Sequence, residues 1–502
     1  MKHVILGAGP AGVIAAETIR KNAPYDQILV IGDEPEAPYS RMAIPYLLIG
    51  NVGEEGTHLR HSAGHFAALR IEIRHARCTA VDVTRRTITL SEGSIIPFDT
   101  LLIATGSSPA TPPIPGIQGA GVHTCWTLAD ARAIMALATP GARVLQMGAG
   151  FIGCIIMEAL AARGVQLSVV EMGDRMVPRM MGPTAGGMIK DWCQAKGVAV
   201  YTGARVEAVE RPAERPAASP AAAPAAAAVA GTPAAPSPSM RPVVKPELSL
   251  LQKLGNLIGL THVPAPPPPA PWPAAVVLVS PVATPAPTAP TALDAPMLVH
   301  LSTGQVLPAD LVISATGVKP NIGFLQDSGI TCLVGVLTDE HLQTNVPGIY
   351  AAGDCAEAFD KISGTTIVSA IQPNAAEQAR VAALNMVGKV TALKGVTQIN
   401  VLDTLGLISA SFGNWQGVAG GEQVELANPA AGKLLSLQFS GNTLVGCNAV
   451  GWTEHVGVMR GLVEGQVVLS DDWKQRLMAD PTLLMEAYLA NAQAQQEMAH
   501  VR

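Results

Sequence analysis

The sequence lacks the close cysteine pairs that mark several common redox and metal sites. Its seven cysteines are scattered along 502 residues, and no two are separated by only two residues. A zinc ribbon, an iron–sulfur cluster held by the chain itself and a thioredoxin-type thiol couple all need such pairs, so we expect none of them and no bound metal. Scattered thiols are typical of a reducing compartment and predict a cytoplasmic protein.

Positive charge is also scarce. The chain has 33 Lys and Arg against 39 Asp and Glu, which gives a formal net charge of −6. This balance does not indicate the basic surface that binds nucleic acid. The first strand-like run begins at His3, so we expect no signal peptide. Proline recurs through uncharged stretches such as 216–240, which makes a membrane-spanning helix implausible. The length is enough for two or three domains with sizeable cores.

What the sequence does contain is one glycine pattern twice. The first copy is Gly7-Ala8-Gly9-Pro10-Ala11-Gly12, and the second is Gly148-Ala149-Gly150-Phe151-Ile152-Gly153. Each follows an apolar strand-like run and opens an alanine-rich helical stretch. In this motif the first glycine makes a tight turn, the second lets the backbone approach a pyrophosphate, and the third packs helix against strand. The pattern predicts two Rossmann-like units, each holding a dinucleotide.

An acidic residue about 20 positions after such a turn binds ribose hydroxyls. Glu34 follows the next strand-like run in the first unit, and Glu171 ends that run in the second. Because a carboxylate would repel a 2′-phosphate, Glu171 favours NAD over NADP. Arg175 keeps NADP open, since a nearby cation would accept that phosphate.

Three further apolar runs end in small residues, as strands near a bound nucleotide do. Two of them end in Ala104-Thr105-Gly106 and Ala315-Thr316-Gly317. The third ends in Gly353-Asp354. Asp354 either accepts a hydrogen bond from a ligand hydroxyl or caps the following turn.

The fold class we predict is α/β, with two Rossmann-like dinucleotide-binding domains followed by a C-terminal α+β domain. Short alternating runs such as 434–439 predict antiparallel strands in that last domain, and a helical tail follows. The expected boundaries are 1–112 with 321–395 for the first domain, 113–211 with 298–320 for the second, 212–297 for an insertion, and 396–502 for the last domain with its tail.

The insertion is dominated by Ala and Pro, so we expect it to behave as a partly stiff linker. Residues 247–260 predict an amphipathic helix within it, and residues 275–279 predict a strand. The helix either docks on a partner or membrane surface or packs back on its own domain.

Together these motifs resemble the pyridine-nucleotide-dependent flavoprotein reductases, in the group of the ferredoxin and rubredoxin reductases, the NADH-reacting module of nitrite reductase and the NADH oxidases. Pro38-Tyr39-Ser40-Arg41 and the run 344–354 also carry the resemblance. It implies FAD on the first turn and NAD(H) on the second. Residues from 396 onwards would match the family's interface domain, which predicts a homodimer or a hetero-oligomeric redox complex.

The resemblance also implies site residues. Glu34 would bind the FAD ribose, Arg41 would lie near the pyrophosphate, Asp354 would hold the ribityl chain, and the segment around Gln372 would approach the flavin pyrimidine ring from a helix N-terminus. We assign no catalytic acid, base or nucleophile, because the flavin N5 carries the chemistry. The predicted FAD-binding residues are Gly7, Gly9, Pro10, Ala11, Gly12, Glu34, Arg41, Ala104, Thr105, Gly106, Asp354 and Gln372; those for NAD are Gly148, Gly150, Phe151, Ile152, Gly153, Glu171 and Gly317.

Three positions depart from the family pattern. Redox-active members have one or two cysteines where this chain has residues 41–46, which contain none, so a disulfide reductase or thiol-dependent peroxidase is not expected. The family's nicotinamide-side Glu is replaced by Ile155, so the nicotinamide contacts must differ. An Arg found in many relatives is replaced by Trp126, so one flavin contact is expected to be missing.

The main functional hypothesis is an FAD-dependent electron transferase between NAD(H) and an iron–sulfur protein or subunit. One form of this hypothesis is a chain that serves as the NAD-reducing subunit of a larger complex, for example of a tungsten aldehyde oxidoreductase. A stand-alone NADH oxidase that reduces O₂ is one alternative. A flavoprotein with a structural or signalling role is another, because the nicotinamide-side Glu is lost.

Overall fold

A computed structural model describes residues 1–211, 296–396 and 398–500, with side chains up to residue 494 in the last helix. The predicted helix at 247–260 and strand at 275–279 lie outside these ranges. The helices in the described ranges do not combine the length and hydropathy that a bilayer crossing needs.

The regular elements fall into three stretches of the chain. The first contains β1 (Lys2–Leu6), α1 (Pro10–Asn22), β2 (Gln27–Gly32), α2 (Ile44–Leu48), α3 (His65–Ala68), β3 (Ile71–His75), β4 (Cys78–Asp82), β5 (Thr87–Leu90), β6 (Ile95–Pro97), β7 (Thr100–Ile103) and β8 (Ser107–Pro109). The second contains β9 (Val122–His123), α4 (Leu128–Leu137), β10 (Arg143–Met147), α5 (Phe151–Ala162), β11 (Gln166–Glu171), α6 (Pro183–Ala195), β12 (Ala199–Thr202), β13 (Val206–Glu210), β14 (Met297–Leu301), β15 (Val306–Ala309), β16 (Leu311–Ser314) and β17 (Val318–Pro320). The third contains β18 (Val336–Leu337), β19 (Ile349–Ala351), β20 (Ala356–Asp360), β21 (Thr365–Val368), α7 (Gln372–Met386), β22 (Ile399–Thr404), β23 (Leu407–Gly413), β24 (Glu422–Asn428), β25 (Lys433–Ser440), β26 (Thr443–Val450), α8 (Val456–Glu464), α9 (Asp471–Ala479) and α10 (Leu484–His500).

Two five-stranded parallel sheets organise the described chain and confirm the predicted α/β fold class. The first has the strand order β19-β7-β1-β2-β3, and the second has the order β12-β11-β10-β16-β9. Their inner strands are apolar and buried on both faces, as expected for parallel sheets covered by helices. Each glycine turn joins a central strand, β1 or β10, to its helix, so each turn lies at the carboxyl edge of its sheet, where ligands of such folds bind.

Short antiparallel pairs connect the parts of the molecule. Strands β8 and β17 pair with each other, so the two chain crossings between the sheets lie side by side. Strands β13 and β14 also pair, although the chain between them runs from 211 to 296. The long segment outside the described ranges therefore begins and ends at one hairpin.

A five-stranded antiparallel sheet, β22-β23-β26-β25-β24, follows, and its strand β25 contains the run 434–439 predicted from the alternating pattern. One face contributes Leu402, Leu407 and Leu434 to the core cluster that also contains α5. The other face is covered by α8, α9 and the first part of α10. The buried Asn448 joins this sheet to the second unit, because its side chain donates to the Met180 carbonyl and accepts from Gly182 N–H, both at 2.9 Å.

Candidate functional site: two glycine turns around one cavity

The first turn needs its three glycines for two different reasons. A Cβ on Gly7 would lie 2.0 Å from the Ala104 carbonyl oxygen, and a Cβ on Gly12 would lie 1.9 Å from that of Gly7, so close packing excludes side chains at both positions. Around Gly9 there is nothing within 4 Å of such an atom. Gly9 therefore faces open space at the helix N-terminus, where a pyrophosphate would approach the backbone.

That open space belongs to a cavity of about 640 Å³. Every predicted FAD residue lines it except Gly12, which is buried behind the turn. The wall also includes Tyr39, Trp126 and Asn321, for which the sequence suggested no binding role. Asn321 follows β17, and its side-chain amide donates to the Thr105 carbonyl at 3.0 Å.

Glu34 is held by two side chains of the segment that follows it. Its carboxylate accepts a hydrogen bond from Arg41 Nη2 at 2.6 Å and another from the Tyr39 hydroxyl at 2.5 Å. Burial and the adjacent Glu34 carboxylate both raise the pKa of Tyr39, so its hydroxyl remains a donor. The predicted ribose ligand and the predicted pyrophosphate ligand are therefore linked, and both face the cavity.

Trp126 itself forms part of the cavity wall at the position where the family arginine is missing. Its indole lines the cavity, its Nε1–H donates to the Ser107 carbonyl at 3.0 Å, and the Arg41 guanidinium lies 5.1 Å from the ring centroid. An aromatic face at this distance attracts a cation. A guanidinium therefore still reaches this wall of the cavity, but it comes from Arg41 and is supported by the residue that replaced the family arginine.

The Asp354 carboxylate lines the same cavity. Its Oδ2 accepts a hydrogen bond from the Ser107 hydroxyl at 2.8 Å, and burial raises its pKa above the ordinary aspartate value. The N-terminus of α7 approaches the same space, where Gln372 and Ala375 line the cavity. The Ser40 hydroxyl donates to Gln372 Oε1 at 3.1 Å. Carboxylate acceptors and a positive helix end thus converge on one chamber.

The second turn repeats the geometry of the first. A Cβ on Gly148 would lie 2.4 Å from the Ala315 carbonyl oxygen, and one on Gly153 would lie 2.5 Å from that of Gly148. Gly150, like Gly9, faces open space. Gly317 follows shortly after β16 with a φ of +114°, a conformation that favours glycine.

Glu171 is held by backbone rather than by side chains. It accepts hydrogen bonds from the N–H groups of Ala149 and Gly173, each at 2.7 Å. The Arg175 guanidinium contacts other groups: it donates to the Asp174 carboxylate at 2.7 Å and to the Met181 carbonyl at 2.9 Å. Glu171 thus lies beside the glycine turn with acceptor capacity left, since a carboxylate has about four lone-pair sites.

The helix that follows the second turn reaches the first cavity. Phe151 and Ile152, at the start of α5, line the 640 Å³ cavity together with Ile155. Phe151 and Ile152 also line a neighbouring cavity of about 430 Å³, whose other walls come from 367–371 and 398–400. Gly148, Gly150, Gly153, Glu171 and Gly317 line neither of these two cavities. The second helix therefore presents an apolar N-terminal turn to the chamber of the first.

The cysteines offer no reactive pair. All seven are free, and Cys125 and Cys78 lie in the cavity wall. Burial raises the pKa of Cys125 to about 12 and that of Cys78 to about 11, so both are neutral thiols near pH 7. Within the described ranges, no three His, Cys, Asp or Glu side chains are grouped so as to hold a metal ion.

Comparisons with known proteins agree with this geometry. The model of the family described as pyridine nucleotide-disulphide oxidoreductase matches residues 1–224 and 286–383. The chain is 27% identical to the NADH-dependent phenylglyoxylate dehydrogenase subunit epsilon of Aromatoleum evansii, over 96% of this chain and 95% of that one. It is 26% identical to an NADH oxidase of Methanocaldococcus jannaschii, over 77% and 70%. Further curated relatives are named as ferredoxin reductases.

A solved structure, the covalent putidaredoxin reductase–putidaredoxin complex, has the same fold. It superposes with a TM-score of 0.76 at 20% sequence identity, covering 98% of this chain and 99% of that one. The family match covers more than half of the chain. The chain therefore belongs to the pyridine nucleotide-disulphide oxidoreductase family, and it is an NAD(P)H oxidoreductase whose cofactors are FAD and NAD(H).

Proposed function

We propose that this enzyme passes electrons between NAD(H) and an iron–sulfur protein or subunit, with FAD on the first turn and NAD(H) on the second. The proposal rests on the shared chamber: the cavity lined by the FAD-type turn is also lined by the N-terminal turn of the second glycine helix. Two dinucleotides bound at these turns would bring their reactive rings together.

The residues of the first turn fit FAD. Gly9 leaves room for the pyrophosphate, and Arg41 supplies the cation that its charge requires. Glu34 and Asp354 provide acceptors for ribose and ribityl hydroxyls. The N-terminus of α7, beside Gln372, adds positive potential to the same chamber.

The second turn fits NAD(H) better than NADP(H). Glu171 would accept the ribose hydroxyls and repel a 2′-phosphate. The Arg175 guanidinium, which the sequence left as a possible phosphate ligand, is occupied by Asp174 and by the Met181 carbonyl.

The flavin, when bound, supplies the redox chemistry by exchanging a hydride with the nicotinamide and single electrons with a partner. The protein's own part is to orient and to exclude water. Phe151, Ile152 and Ile155 form an apolar wall, and Ile155 stands at the position of the family's nicotinamide-side glutamate. This wall would keep water from the meeting point of the two rings.

An external one-electron partner is supported by what the described residues lack, namely a metal-holding group and a reactive thiol pair. A relative named as a subunit matches this chain over nearly its full length, which supports a place in a larger redox complex. A tungsten aldehyde oxidoreductase remains one such complex. A hetero-oligomer or homodimer in the cytoplasm completes the proposal.

The test is electron delivery by the purified chain. NADH and oxidised ferredoxin are mixed with the protein without oxygen, and ferredoxin reduction is followed by absorbance; a parallel sample in air measures O₂ uptake. Fast ferredoxin reduction with slow O₂ uptake supports the proposal. The reverse result would favour an NADH oxidase, and a flavin that NADH leaves oxidised would favour a structural or signalling role.

A further inference from the structure

Gln146 is a buried amide directly beneath the second glycine turn. It lies on β10, two residues before Gly148, and is completely buried. Its Nε2 donates to the Gly148 carbonyl at 2.9 Å, whereas its Oε1 has no partner among the described residues. The equivalent residue of the first unit, two before Gly7, is the apolar and equally buried Ile5.

The amide occupies the interior of the turn. A Cβ on Gly153 would lie 2.9 Å from Gln146 Nε2, whereas one on Gly12 would lie 3.4 Å from the Cγ2 methyl of Ile5. The reverse orientation of the amide would bring two acceptor oxygens together, so the Nε2 assignment follows from the hydrogen bond. Packing alone does not explain this residue, because Ile5 fills the same position without an unpaired buried oxygen, which costs stability.

The role of the Gln146 amide follows from the peptide group that it contacts. The Gly148 carbonyl and the Ala149 N–H belong to the same peptide plane. Gln146 bonds to the carbonyl end, and the Glu171 carboxylate bonds to the N–H end at 2.7 Å. The plane is therefore clamped from both sides, and its rotation would move the Glu171 carboxylate as well as the amides that follow it in the turn.

We propose that Gln146 is a positioning residue for NAD(H): it fixes the Gly148–Ala149 peptide and through it the ribose-binding carboxylate of Glu171. This inference rests on the proposed binding of NAD(H) at the second turn. Gln146 touches neither the chamber nor the first turn, so its effect is confined to the second dinucleotide.

The experiment uses the FAD-loaded protein and ADP-ribose, a redox-silent part of NAD. Gln146→Met keeps the length of the side chain and removes both polar atoms. We expect its Kd for ADP-ribose to rise about 5- to 20-fold, as for a lost hydrogen bond that organises a site. The KM for NADH should rise equally while kcat stays within about 2-fold, because only binding geometry changes. FAD content and spectrum should not change, and Tm should change little, because removal of the unpaired oxygen offsets the loss of the donor to the Gly148 carbonyl.

Two controls separate positioning from packing. Leu145→Met changes the neighbouring buried residue of β10, which faces another cluster, and should bind ADP-ribose as the wild type does. The double variant Gln146→Met with Glu171→Ala should bind no more weakly than Glu171→Ala alone, since both act through one peptide.

A Gln146→Met protein that binds ADP-ribose like the wild type would overturn the inference. So would fully additive effects, or loss of folding in both Gln146→Met and the isosteric Gln146→Glu, because the amide would then be structural. If the wild type itself bound neither ADP-ribose nor NADH, the proposed function would fail first, and the two failures are distinguished by that measurement.

Discussion

The two glycine turns share a spacing but differ in what supports them. In the first, the acidic residue is held by side chains, because Glu34 bonds to Tyr39 and Arg41. In the second, Glu171 is held by backbone N–H groups. Beneath the first turn lies Ile5, and beneath the second lies Gln146.

The difference extends along the two helices. Glu17 and Glu158 occupy the same position, five residues after the third glycine of each turn. Glu17 is paired with Arg60 and, at 2.8 Å, with His65 Nε2, whereas Glu158 faces the Asp403 carboxylate. The glycine motif thus determines the path of the backbone around a dinucleotide. The residues packed around the motif determine the charge of the site, its rigidity and the cofactor that it binds.

The sharpest test of the comparison exchanges the middle glycine of each turn for valine. Gly9 and Gly150 have φ values of −78° and −75° and open space at the Cβ position, so both variants should fold. Gly9→Val should weaken FAD binding at least about 100-fold, or about 2.7 kcal/mol, by occupying the pyrophosphate position. Gly150→Val should keep FAD and lose NADH binding to a similar extent. A Gly9→Val protein that purifies with full flavin would refute the assignment of the first turn.

Removal of the second carboxylate should have the next largest effect. Glu171→Ala deletes a ribose acceptor and frees the Ala149 and Gly173 N–H groups, so the KM for NADH should rise about 10- to 50-fold with FAD unchanged. The exposed Glu207→Ala in the same region serves as the control. Unchanged NADH kinetics would mean that Glu171 only braces the turn.

Trp126 tests whether Arg41 depends on its aromatic support. Trp126→Leu removes the ring beneath the guanidinium, worth about 0.5–2 kcal/mol, and should weaken FAD binding about 3- to 30-fold. Trp126→Phe keeps a ring and loses only the hydrogen bond to Ser107, so its effect should be smaller. Trp473→Phe, at a second Arg–Trp contact far along the chain, is the control. Equal FAD affinity in all three variants would show that Arg41 needs no support from Trp126.

The smallest effects are expected on the melting temperature, and they should have opposite signs at the equivalent residues Glu17 and Glu158. Burial alone would raise the pKa of Glu17, but hydrogen bonds from Arg60 and His65 lower it. The stability that Glu17 contributes is therefore present above its unfolded pKa of 4.5 and is lost as the pH falls through the lower folded value. Glu17→Gln should lower Tm by about 1–3 °C at pH 7, with the gap closing at acidic pH.

For Glu158 the sign reverses. Burial, and then Asp403, raise its pKa, so its contribution is complete below the unfolded value of 4.5 and is lost as the pH rises through the higher folded value. Glu158→Gln should raise Tm by about 1–2 °C at pH 7 and leave it unchanged near pH 4.5. Thermal melts of both variants from about pH 3 to about pH 8, which covers the titration of both carboxyls, check the pair. Shifts of the same sign would show that the two helices do not differ in this way.

The sequence predicted the turns well because their chemistry is local. Strand, glycines and helix are contiguous, so the roles of Gly7, Gly9 and Gly12 follow from spacing alone. The contacts of Trp126 with Arg41 and of Ser107 with Asp354 join residues far apart in the chain, and spacing carries no signal for them. The sequence therefore indicates a lost flavin contact at Trp126, whereas the structure shows that Arg41 brings a cation to the same cavity wall. Gln146 did leave a signal, a polar residue in an apolar strand, which the motif itself does not explain.

The most direct test of the central claim, that both dinucleotides meet in one chamber, is an anaerobic absorbance titration of the purified chain with NADH and then with NADPH. We predict that about one equivalent of NADH bleaches the visible flavin band, because a flavin held by the first turn would share its chamber with the start of α5. NADPH should require a much higher concentration, since Glu171 repels its phosphate. A bound flavin that NADH leaves oxidised at every concentration would contradict the shared chamber.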